Sequence, residues 1–324
     1  MSSLKAHDGA IYVVRYDKDG NYIMSAGQDK RVRLWNARQG ILVKTYPVEH
    51  TAEITELLIM RNRDRFITAD GKGSVLMWDS VRGVVTRRFR ACPSNAAVTS
   101  MALNTDESIL CSACTNGRVY IWDLASSSAA SSHQPLEPLQ VLDHAKGRII
   151  TSLFLSQPVL FVGSADGKLR VYDVRSGKLL VRKFFRHDVG TSERSSRRHS
   201  ISVSSVSVSK DSRLILVSCL DHTLRLIDRR SGVELKCYKG HKNWKLRLRS
   251  DFVWDNSLIA TPSEDGKIYF WNLVTGRLLS SVRHGREASL CTAFNPKGGS
   301  FVSGGSDGYI RIWRTTAESS STCR

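Results

Sequence analysis

Short runs in which apolar and polar side chains alternate recur along the whole chain, and turn residues separate them. Alternation at a period of two is typical of a β-strand with two unlike faces. Each of the seven strongest runs begins with a turn and ends in Trp, Tyr or Ile. The runs are QDKRVRLW (28–35), GKGSVLMW (71–78), TNGRVYIW (115–122), ADGKLRVY (165–172), LDHTLRLI (220–227), EDGKIYFW (264–271) and SDGYIRIW (306–313). The pattern predicts an all-β chain built from one repeated unit.

The spacing of these runs indicates what the unit is. Their last residues lie 43, 44, 50, 55, 44 and 42 positions apart, and a period of about 40–45 residues is that of a four-stranded propeller blade. We therefore predict that residues 1–324 form a single seven-bladed β-propeller. The third strands of its blades should end near residues 35, 78, 122, 172, 227, 271 and 313. A closed ring of this kind leaves few strand edges exposed.

A second set of residues recurs in the same register. An Asp stands six positions before the last residue of five runs, and a Ser or Thr stands four positions before this Asp position in five blades. A His stands 22 to 24 positions before the Asp position in six blades; these are His7, His50, His144, His199, His241 and His284. Buried polar groups must be hydrogen-bonded, and these residue types can satisfy one another. The repetition favours an architectural over a catalytic role for the histidines.

The recurring set resembles the WD40-repeat family, in which a His, a Ser or Thr, an Asp and a Trp form a buried hydrogen-bonded chain within a blade. Three blades contain all four members: His7, Ser25, Asp29 and Trp35 in blade 1, His241, Thr261, Asp265 and Trp271 in blade 6, and His284, Ser303, Asp307 and Trp313 in blade 7. Blade 3 lacks the His, and blade 2 has Lys72 in place of the Asp. Blades 4 and 5 have Val162 and Val217 in place of the hydroxyl residue. We expect these four blades to be held less tightly.

The two longest intervals between runs contain insertions. Residues 126–138, rich in Ser, Ala and Pro, are predicted to form a solvated loop. Residues 186–200 are predicted to form a basic loop, in which RSSRRHS resembles a basophilic-kinase target centred on Ser200; the alternative is a merely solvated basic loop. Residues 315–324 are a polar tail, so we expect the N-terminal segment to supply the strand that closes the ring.

Charge and cysteine content suggest the environment. The chain has 48 basic and 30 acidic residues and a net charge of +18, which favours nucleic acid, an anionic membrane surface or an acidic protein as partner. Seven scattered cysteines resemble no disulfide framework and fit a reducing compartment. We find no secretory signal in residues 1–20 and no apolar run of about 18 residues, the length that a membrane helix needs. We therefore expect a soluble intracellular protein without membrane contact.

Several longer stretches suggest a subfamily. GAIYVVRYDKDGNYIMSAGQDKRVRLWN, LVSCLDHTLRLIDRRSG, YKGHKN, SEDGKIYFWNLVTG and the order LQVLDHAKG then VGSADGKLRVYDVRSGKLL are similar to the mitogen-activated protein kinase organisers (WD repeat-containing protein 83-like). The resemblance extends from about Gly9 to Leu279. It implies a non-enzymatic scaffold in the cytoplasm and nucleus, a monomeric propeller within larger assemblies that tethers signalling kinases and associates with the spliceosome. The chain departs from the subfamily at 186–200, at its shorter N-terminus and at Trp244-Lys245.

The stretch GHKNWKLRLRS (240–250) is the candidate docking site. Residues 245–253 are predicted to be the innermost strand of blade 6, so Lys245, Arg247 and Arg249 must reach solvent in the channel or find acidic partners, since an unpaired buried charge is costly. Residues 176–250 hold 18 basic and 6 acidic side chains, so +12 of the net charge falls in blades 4 to 6. We predict that Lys242, Asn243, Trp244, Lys245, Arg247 and Arg249 bind an acidic partner protein. The alternative is that Trp244 caps a blade and the charges are solvated or paired.

The sequence contains no arrangement typical of an enzyme. Cys111 and Cys114 form a lone CxxC, which makes a zinc site improbable, and no phosphate-binding GxxxxGK[ST] loop occurs. We expect no catalytic residues, no cofactor and no metal. Two function classes remain: a protein scaffold, and a ribonucleoprotein component of pre-mRNA splicing whose basic face contacts RNA. Only Trp244 stands among basic residues as a base-stacking aromatic, which favours the scaffold.

Overall fold

The computed structural model describes residues 1–62, 64–90, 95–125, 135–143, 150–156, 158–184, 201–254 and 256–314. These residues form seven antiparallel sheets of four strands each. Neighbouring sheets contact one another in chain order, and the last contacts the first. The prediction of an all-β, seven-bladed propeller is therefore confirmed.

The strands follow the repeat closely. Blade 1 consists of β2 (Ile11–Tyr16), β3 (Tyr22–Gly27), β4 (Val32–Asn36) and β5 (Ile41–Thr45), blade 2 of β6 (Ile54–Ile59), β7 (Arg65–Asp70), β8 (Ser74–Asp79) and β9 (Val84–Arg90), and blade 3 of β10 (Val98–Leu103), β11 (Ile109–Cys114), β12 (Val119–Asp123) and β13 (Gln140–Leu142). Blade 4 consists of β14 (Ile150–Ser156), β15 (Val159–Ser164), β16 (Lys168–Asp173) and β17 (Leu179–Phe184), blade 5 of β18 (Val203–Val208), β19 (Leu214–Cys219), β20 (Thr223–Asp228) and β21 (Glu234–Lys239), and blade 6 of β22 (Asp251–Val253), β23 (Leu258–Pro262), β24 (Lys267–Asn272) and β25 (Leu278–Arg283). Blade 7 consists of β26 (Ser289–Phe294), β27 (Ser300–Gly305), β28 (Tyr309–Arg314) and β1 (Ser2–Lys5). In every blade the aromatic or Ile residue that ends a run lies one position before the end of the third strand.

The N-terminal segment closes the ring. Strand β1 pairs antiparallel with β28, from Ser2 opposite Ile312 to Lys5 opposite Tyr309, and forms the outermost strand of blade 7. Leu4 packs on the apolar cluster shared by blades 1 and 7. The first and last segments of the described chain thus share a blade, so unfolding either of them opens the ring.

The core lies between adjacent blades. Some third-strand aromatics stack within their own blade, as Trp78 does on Phe66 with centroids 5.5 Å apart. Others pack on the outermost strand of the preceding blade, as Trp122 does on Phe89 at 5.7 Å and Trp271 on Tyr238 at 6.3 Å. Full burial of one large apolar side chain is worth about 1.5–3 kcal/mol. Because each cluster spans two blades, every blade is stabilised by its neighbours.

The innermost strand of blade 6 differs from the prediction. It covers only Asp251–Val253, not residues 245–253. In the other six blades the innermost strand has six or seven residues and begins with a β-bulge. Residues 242–250 of blade 6 are therefore free of the ladder and take a different course, described below.

Three predicted segments lie wholly or mostly outside the described residues. They are the basic insertion at 186–200 with Ser200, the polar tail at 315–324 and residues 126–134 of the first insertion. His144 and His199 also lie outside them. At the end of the first insertion, the Leu136 N–H donates to the Arg88 carbonyl at 2.9 Å and the Leu136 side chain packs on the core of blades 2 and 3. This last part of the insertion is thus packed against the ring.

Candidate functional site

Blades 1 and 7 contain the hydrogen-bonded chain expected from their sequences. In blade 1, His7 lies 2.8 Å from Asp29 and 2.7 Å from the Ser25 hydroxyl, and the Trp35 indole N–H donates to the same hydroxyl at 2.9 Å. In blade 7, His284 lies 2.7 Å from Ser303, and Trp313 donates to Ser303 at 2.8 Å, while Asp307 lies farther from the imidazole at 3.5 Å. Each chain joins the entry of a blade to its second and third strands.

Blade 2 also contains a complete chain, which corrects the prediction that Lys72 replaces its acid. The carboxylate comes from Asp70, two positions earlier, and lies 3.0 Å from His50. His50 lies 2.6 Å from the Thr68 hydroxyl, to which Trp78 donates at 2.8 Å. Asp70 also accepts the Lys72 and Ser74 backbone N–H groups at 3.0 and 2.9 Å. The last residue of a strand can therefore supply the acid instead of the turn.

Blade 6 lacks the chain although it has all four residue types, so the prediction for this blade is wrong. Neither ring nitrogen of the buried His241 has a hydrogen-bond partner among the described residues. The Tyr269 hydroxyl donates to Asp265 at 2.6 Å, and the Ser250 hydroxyl donates to Thr261 at 2.7 Å. Tyr269 and Ser250 thus satisfy the two groups that His241 was expected to bind. Burial lowers the pKa of His241 to about 4, so the ring is neutral near pH 7.

Sequence reasoning missed an arginine that recurs four positions after the Asp. Arg33, Arg170, Arg225 and Arg311 reach back to the Asp of their own blades at 2.6, 2.6, 3.0 and 2.9 Å. Burial opposes ionisation of Asp166, but hydrogen bonds from Arg170 and Ser164 hold its pKa at about 2. The signal was present as a repeated Arg two residues before the last residue of four runs. Blades 4 and 5 therefore have an Arg–Asp pair where the hydroxyl residue is absent.

Blade 3 has an incomplete polar core, as its missing His suggested. The Ser112 hydroxyl and the Trp122 indole N–H are both buried, and neither has a hydrogen-bond partner in the described part of the chain. Each such orphan group costs about 1–3 kcal/mol.

Residues 242–249, which we name the docking loop, take a course set by Glu264. One carboxylate oxygen of Glu264 accepts the backbone N–H groups of Trp244, Lys245 and Leu246 at 2.9, 2.7 and 2.8 Å. Hydrogen bonds to a charged acceptor are about twice as strong as neutral ones. Three consecutive N–H groups that point at one oxygen cannot also pair with a strand, which is why β22 begins late.

The far end of the docking loop is anchored by Leu248. This side chain is fully buried, and its N–H donates to the Ser204 hydroxyl of blade 5 at 3.1 Å. Ser250 then donates its N–H to Ser205 at 3.0 Å. The loop is thereby fixed at Glu264 and at blade 5, while the side chains of residues 244–247 remain exposed.

Four of the six predicted docking residues are exposed, and the other two are not available to a partner in the same way. Trp244 is 59% exposed, and the Lys245 ammonium lies 4.7 Å from the centroid of its ring, a cation–π contact. Lys242 and Arg247 are also exposed. Asn243, in contrast, is fully buried and donates its amide to the Ser218 hydroxyl at 3.0 Å, so it supports the loop and cannot itself touch a partner.

Arg249 is the second exception, because it is paired across the channel. Its guanidinium lies 3.5 Å from Glu56 of blade 2 and 3.9 Å from Asp251. Arg15 of blade 1 holds the other Glu56 oxygen at 2.6 Å. Arg15 and Glu56 were missed in the sequence, although each is a charged residue within an otherwise apolar innermost strand. Arg249 thus contributes to joining three blades.

The docking loop borders a cavity of about 390 Å³ in the central channel. Blades 1, 2, 3, 5, 6 and 7 all contribute lining residues, among them Lys245, Leu246, Arg247 and Arg249. Burial, followed by the charge of Arg249, lowers the pKa of Arg15. The cavity is therefore a basic site, and the exposed Trp244 directly precedes Lys245 of its lining.

The described residues form neither a metal site nor a membrane-spanning helix. Within the described ranges, no group of three or more His, Cys, Asp or Glu side chains is arranged to hold a metal ion. Nor does any described helix have the length and apolar character needed to cross a bilayer. Cys111 is a buried thiol whose pKa is raised to about 12 by burial, and Cys114 is buried as well.

Comparison with known proteins places the fold in a family. The WD domain, G-beta repeat family matches residues 1–36, 83–123, 136–173, 190–228, 232–272 and 276–314. The segment without a match lies mostly in blade 2, whose acid is displaced to Asp70. The structure supplies this seventh blade.

Relatives that align with nearly the whole chain are WD repeat proteins as well. The chain is 30% identical to the WD repeat domain-containing protein 83 homolog of Dictyostelium discoideum, with 96% of each chain covered. It is 30% identical to WD repeat domain-containing protein 83 of Rattus norvegicus, covering 97% of this chain and 91% of the other, and 31% identical to that of Homo sapiens, covering 98% and 92%. WD40 propellers generally act as protein-interaction scaffolds without catalytic activity. The chain belongs to the WD40-repeat family and is similar to WD repeat domain-containing protein 83.

Proposed function

We propose that the chain is a non-enzymatic scaffold that binds an acidic segment of a partner protein at the docking loop. The observation that carries this is the exposed Trp244, whose backbone N–H is bound by Glu264 and which directly precedes Lys245 of the basic cavity. Trp is among the residues enriched in interface hot spots. A loop whose backbone is already fixed by Glu264 loses little conformational entropy on binding, which favours affinity.

Charge supports an acidic partner. Lys242, Lys245 and Arg247 are exposed around Trp244, and the sequence from 176 to 250 is strongly basic. Complementary charge steers a partner toward such a face. The resemblance to the mitogen-activated protein kinase organisers supports signalling kinases or splicing factors as partners. It also supports a monomeric propeller that works within larger assemblies in the cytoplasm and nucleus.

A matched pair of variants tests the site. Lys245→Glu/Arg247→Glu reverses two of the three exposed charges of the docking loop, and Arg249 is spared because it pairs with Glu56. Lys18→Glu/Lys297→Glu is the control variant and makes the same change of charge. Both lysines are exposed and lie in the turns that follow the innermost strands of blades 1 and 7. Affinity purification with mass spectrometry should show partners that the first variant loses and the second retains, with both melting like wild type. Equal capture by both variants would contradict the proposal.

Nuclease treatment distinguishes the RNA-contacting alternative. Protein partners of a scaffold should remain after nuclease, whereas partners held through RNA should be lost. A direct RNA contact should also show log affinity falling linearly with log salt, with a slope of roughly −0.7 per phosphate contacted on a single strand. Loss of the partner set on nuclease treatment would favour the ribonucleoprotein function.

A further inference from the structure

In several places a pair of aromatic rings fills the space between neighbouring blades. One ring is the Trp that ends the repeated run of a blade, and the other belongs to the outermost strand of the blade before it. Trp122 packs on Phe89 in this way, with ring centroids 5.7 Å apart, and Trp271 packs on Tyr238 at 6.3 Å. Phe89 and Tyr238 have the same register, since each lies opposite the second residue of the third strand of its own blade.

Both members of this pair are replaced between blades 4 and 5. Ile227 ends the run of blade 5 in place of the Trp. Lys183 of β17 lies opposite Leu169, the second residue of the third strand of blade 4. Lys183 therefore occupies the register that Phe89 and Tyr238 have in their blades. Isoleucine is much smaller than tryptophan, and a cavity of about 140 Å³ remains at this interface.

The cavity is lined mainly by apolar side chains and reaches the surface of the ring. Four of its apolar lining residues are buried, namely Phe161, Leu169, Ile215 and Ile227. Val181 also lines it, lies on the outermost strand of blade 4 and is 54% exposed. Gly232, in the turn after β20, is a second exposed lining residue. The cavity therefore opens to solvent between β17 and this turn.

Three charged side chains line the cavity together with these apolar residues. They are Lys183, Asp228 and Arg229. The Lys183 ammonium donates to the Gly232 carbonyl on the exposed side, and the Arg229 guanidinium lies 5.3 Å from the centroid of the Phe161 ring. Two cations and one anion give the lining a net charge of +1, which favours an acidic group of a ligand beside Lys183 at the opening.

We propose that this cavity binds the phenyl ring of a phenylalanine on a partner protein, with an acidic residue of that partner beside it. The cavity of about 140 Å³ is close in volume to an apolar cavity of about 150 Å³ that binds benzene, the ring of phenylalanine. Aromatic side chains that fill pockets are typical of interface hot spots. WD40 propellers generally mediate protein–protein interactions, which favours a partner side chain over a free molecule. The described linings of this cavity and of the channel cavity share no residue, so the two sites are independent of each other.

A glutamate–4-fluorophenylalanine–glutamate peptide, titrated with the full chain and followed by ¹⁹F NMR, tests the site. Ile227→Phe fills the cavity and should weaken peptide binding by roughly tenfold or more, since the ring of the peptide can no longer be buried. Val181→Glu places a negative charge at the opening and should weaken binding severalfold. Val43→Glu is the matched control, because Val43 lies on the outermost strand of blade 1 and is 53% exposed. It makes the same change of charge far from the cavity and should leave binding within about twofold.

The other outcomes of this experiment are equally decisive. Peptide binding that neither Ile227→Phe nor Val181→Glu weakens, or no binding by the wild type, would overturn the proposal. Fluorobenzene that binds where the peptide does not would assign the cavity to a small aromatic molecule and contradict the partner side chain. A peptide with lysines in place of both glutamates should bind severalfold more weakly, and equal binding would contradict the acidic neighbour. Lys245→Glu/Arg247→Glu should retain peptide binding while it loses captured proteins, which distinguishes failure of the docking loop from failure of this cavity.

Discussion

Replacement of Asp70 by Ala gives a direct test of which residue serves as the acid of blade 2. The Asp70 carboxylate is fully buried and accepts three hydrogen bonds, from His50 at 3.0 Å and from the backbone of Lys72 and Ser74 at 3.0 and 2.9 Å. His50 and Thr68 are buried around it. In Asp70→Ala all three donors lose this acceptor.

The magnitude follows from burial. Breaking a buried polar pair by removing one member costs about 3–5 kcal/mol, because the remaining groups stay desolvated. An unfolding entropy of about 2.1 cal/mol/K per residue over 324 residues makes this a fall in Tm of roughly 4–7 °C. Lys72→Ala is the matched control, since the Lys72 side chain is exposed and only its backbone N–H contributes. It should change the free energy of unfolding by no more than about 0.5 kcal/mol.

Differential scanning calorimetry of the wild type and both variants measures the effect. Asp70→Ala should melt several degrees lower, while Lys72→Ala should melt with the wild type. If both variants melt alike, or if Lys72→Ala is the more destabilised, Asp70 does not hold the blade and the reasoning is refuted.

Three further predictions follow from the same structure. Glu264→Ala removes the acceptor shared by the N–H groups of residues 244–246. Hydrogen exchange at these amides should accelerate and partner affinity should fall, while Tm stays almost unchanged. Continued protection of these amides from exchange would show that Glu264 does not position the loop. Ile227 lines a small apolar cavity of about 140 Å³ between blades 4 and 5. Ile227→Phe should raise the free energy of unfolding in urea by about 1 kcal/mol, because the phenyl ring fills the cavity and brings no N–H group that would need a partner. A urea midpoint below that of the wild type would show that the cavity is too small for the ring. Burial lowers the pKa of both His241 and His284 to about 4, below the unfolded value of 6.5, so stability should be full above pH 6.5 and decline as the pH falls toward 4. His241→Gln should flatten this decline in a Tm-versus-pH series, whereas an unaltered slope would assign the pH dependence elsewhere.

Much of the fold could be predicted because each blade is local in sequence. In six blades the four strands follow one another along the chain, and only blade 7 takes its outermost strand from the N-terminal segment. A Trp one position before the end of the third strand recurs in five blades. Alternation and turn residues therefore sufficed to count seven blades and to place their third strands. The contacts of His7 with Ser25 and Asp29 span only about 20 residues, so they recur in register and could be anticipated.

The repeat register gave wrong predictions where several side chains can form the same hydrogen bond. Asp70 lies two positions from the expected site, yet the end of β7 brings its carboxylate to His50. His241 has every expected partner in sequence, but Tyr269 and Ser250 occupy those partners. Which of several polar groups forms a given hydrogen bond depends on how far each side chain reaches in the folded blade. The spacing of the residues in the sequence does not specify this.

The sequence by itself determined the number and order of the blades, the polar chains of blades 1 and 7 and the basic character of the docking loop. Only the tertiary structure decided that Glu264 shapes that loop, that Asn243 is buried and that Arg249 pairs with Glu56, 193 residues away. The cavity that Arg247 lines likewise exists only once the ring is closed. The physical reason is that contacts within a blade repeat with the period of the chain, whereas contacts across the channel join residues from distant blades and leave no periodic trace.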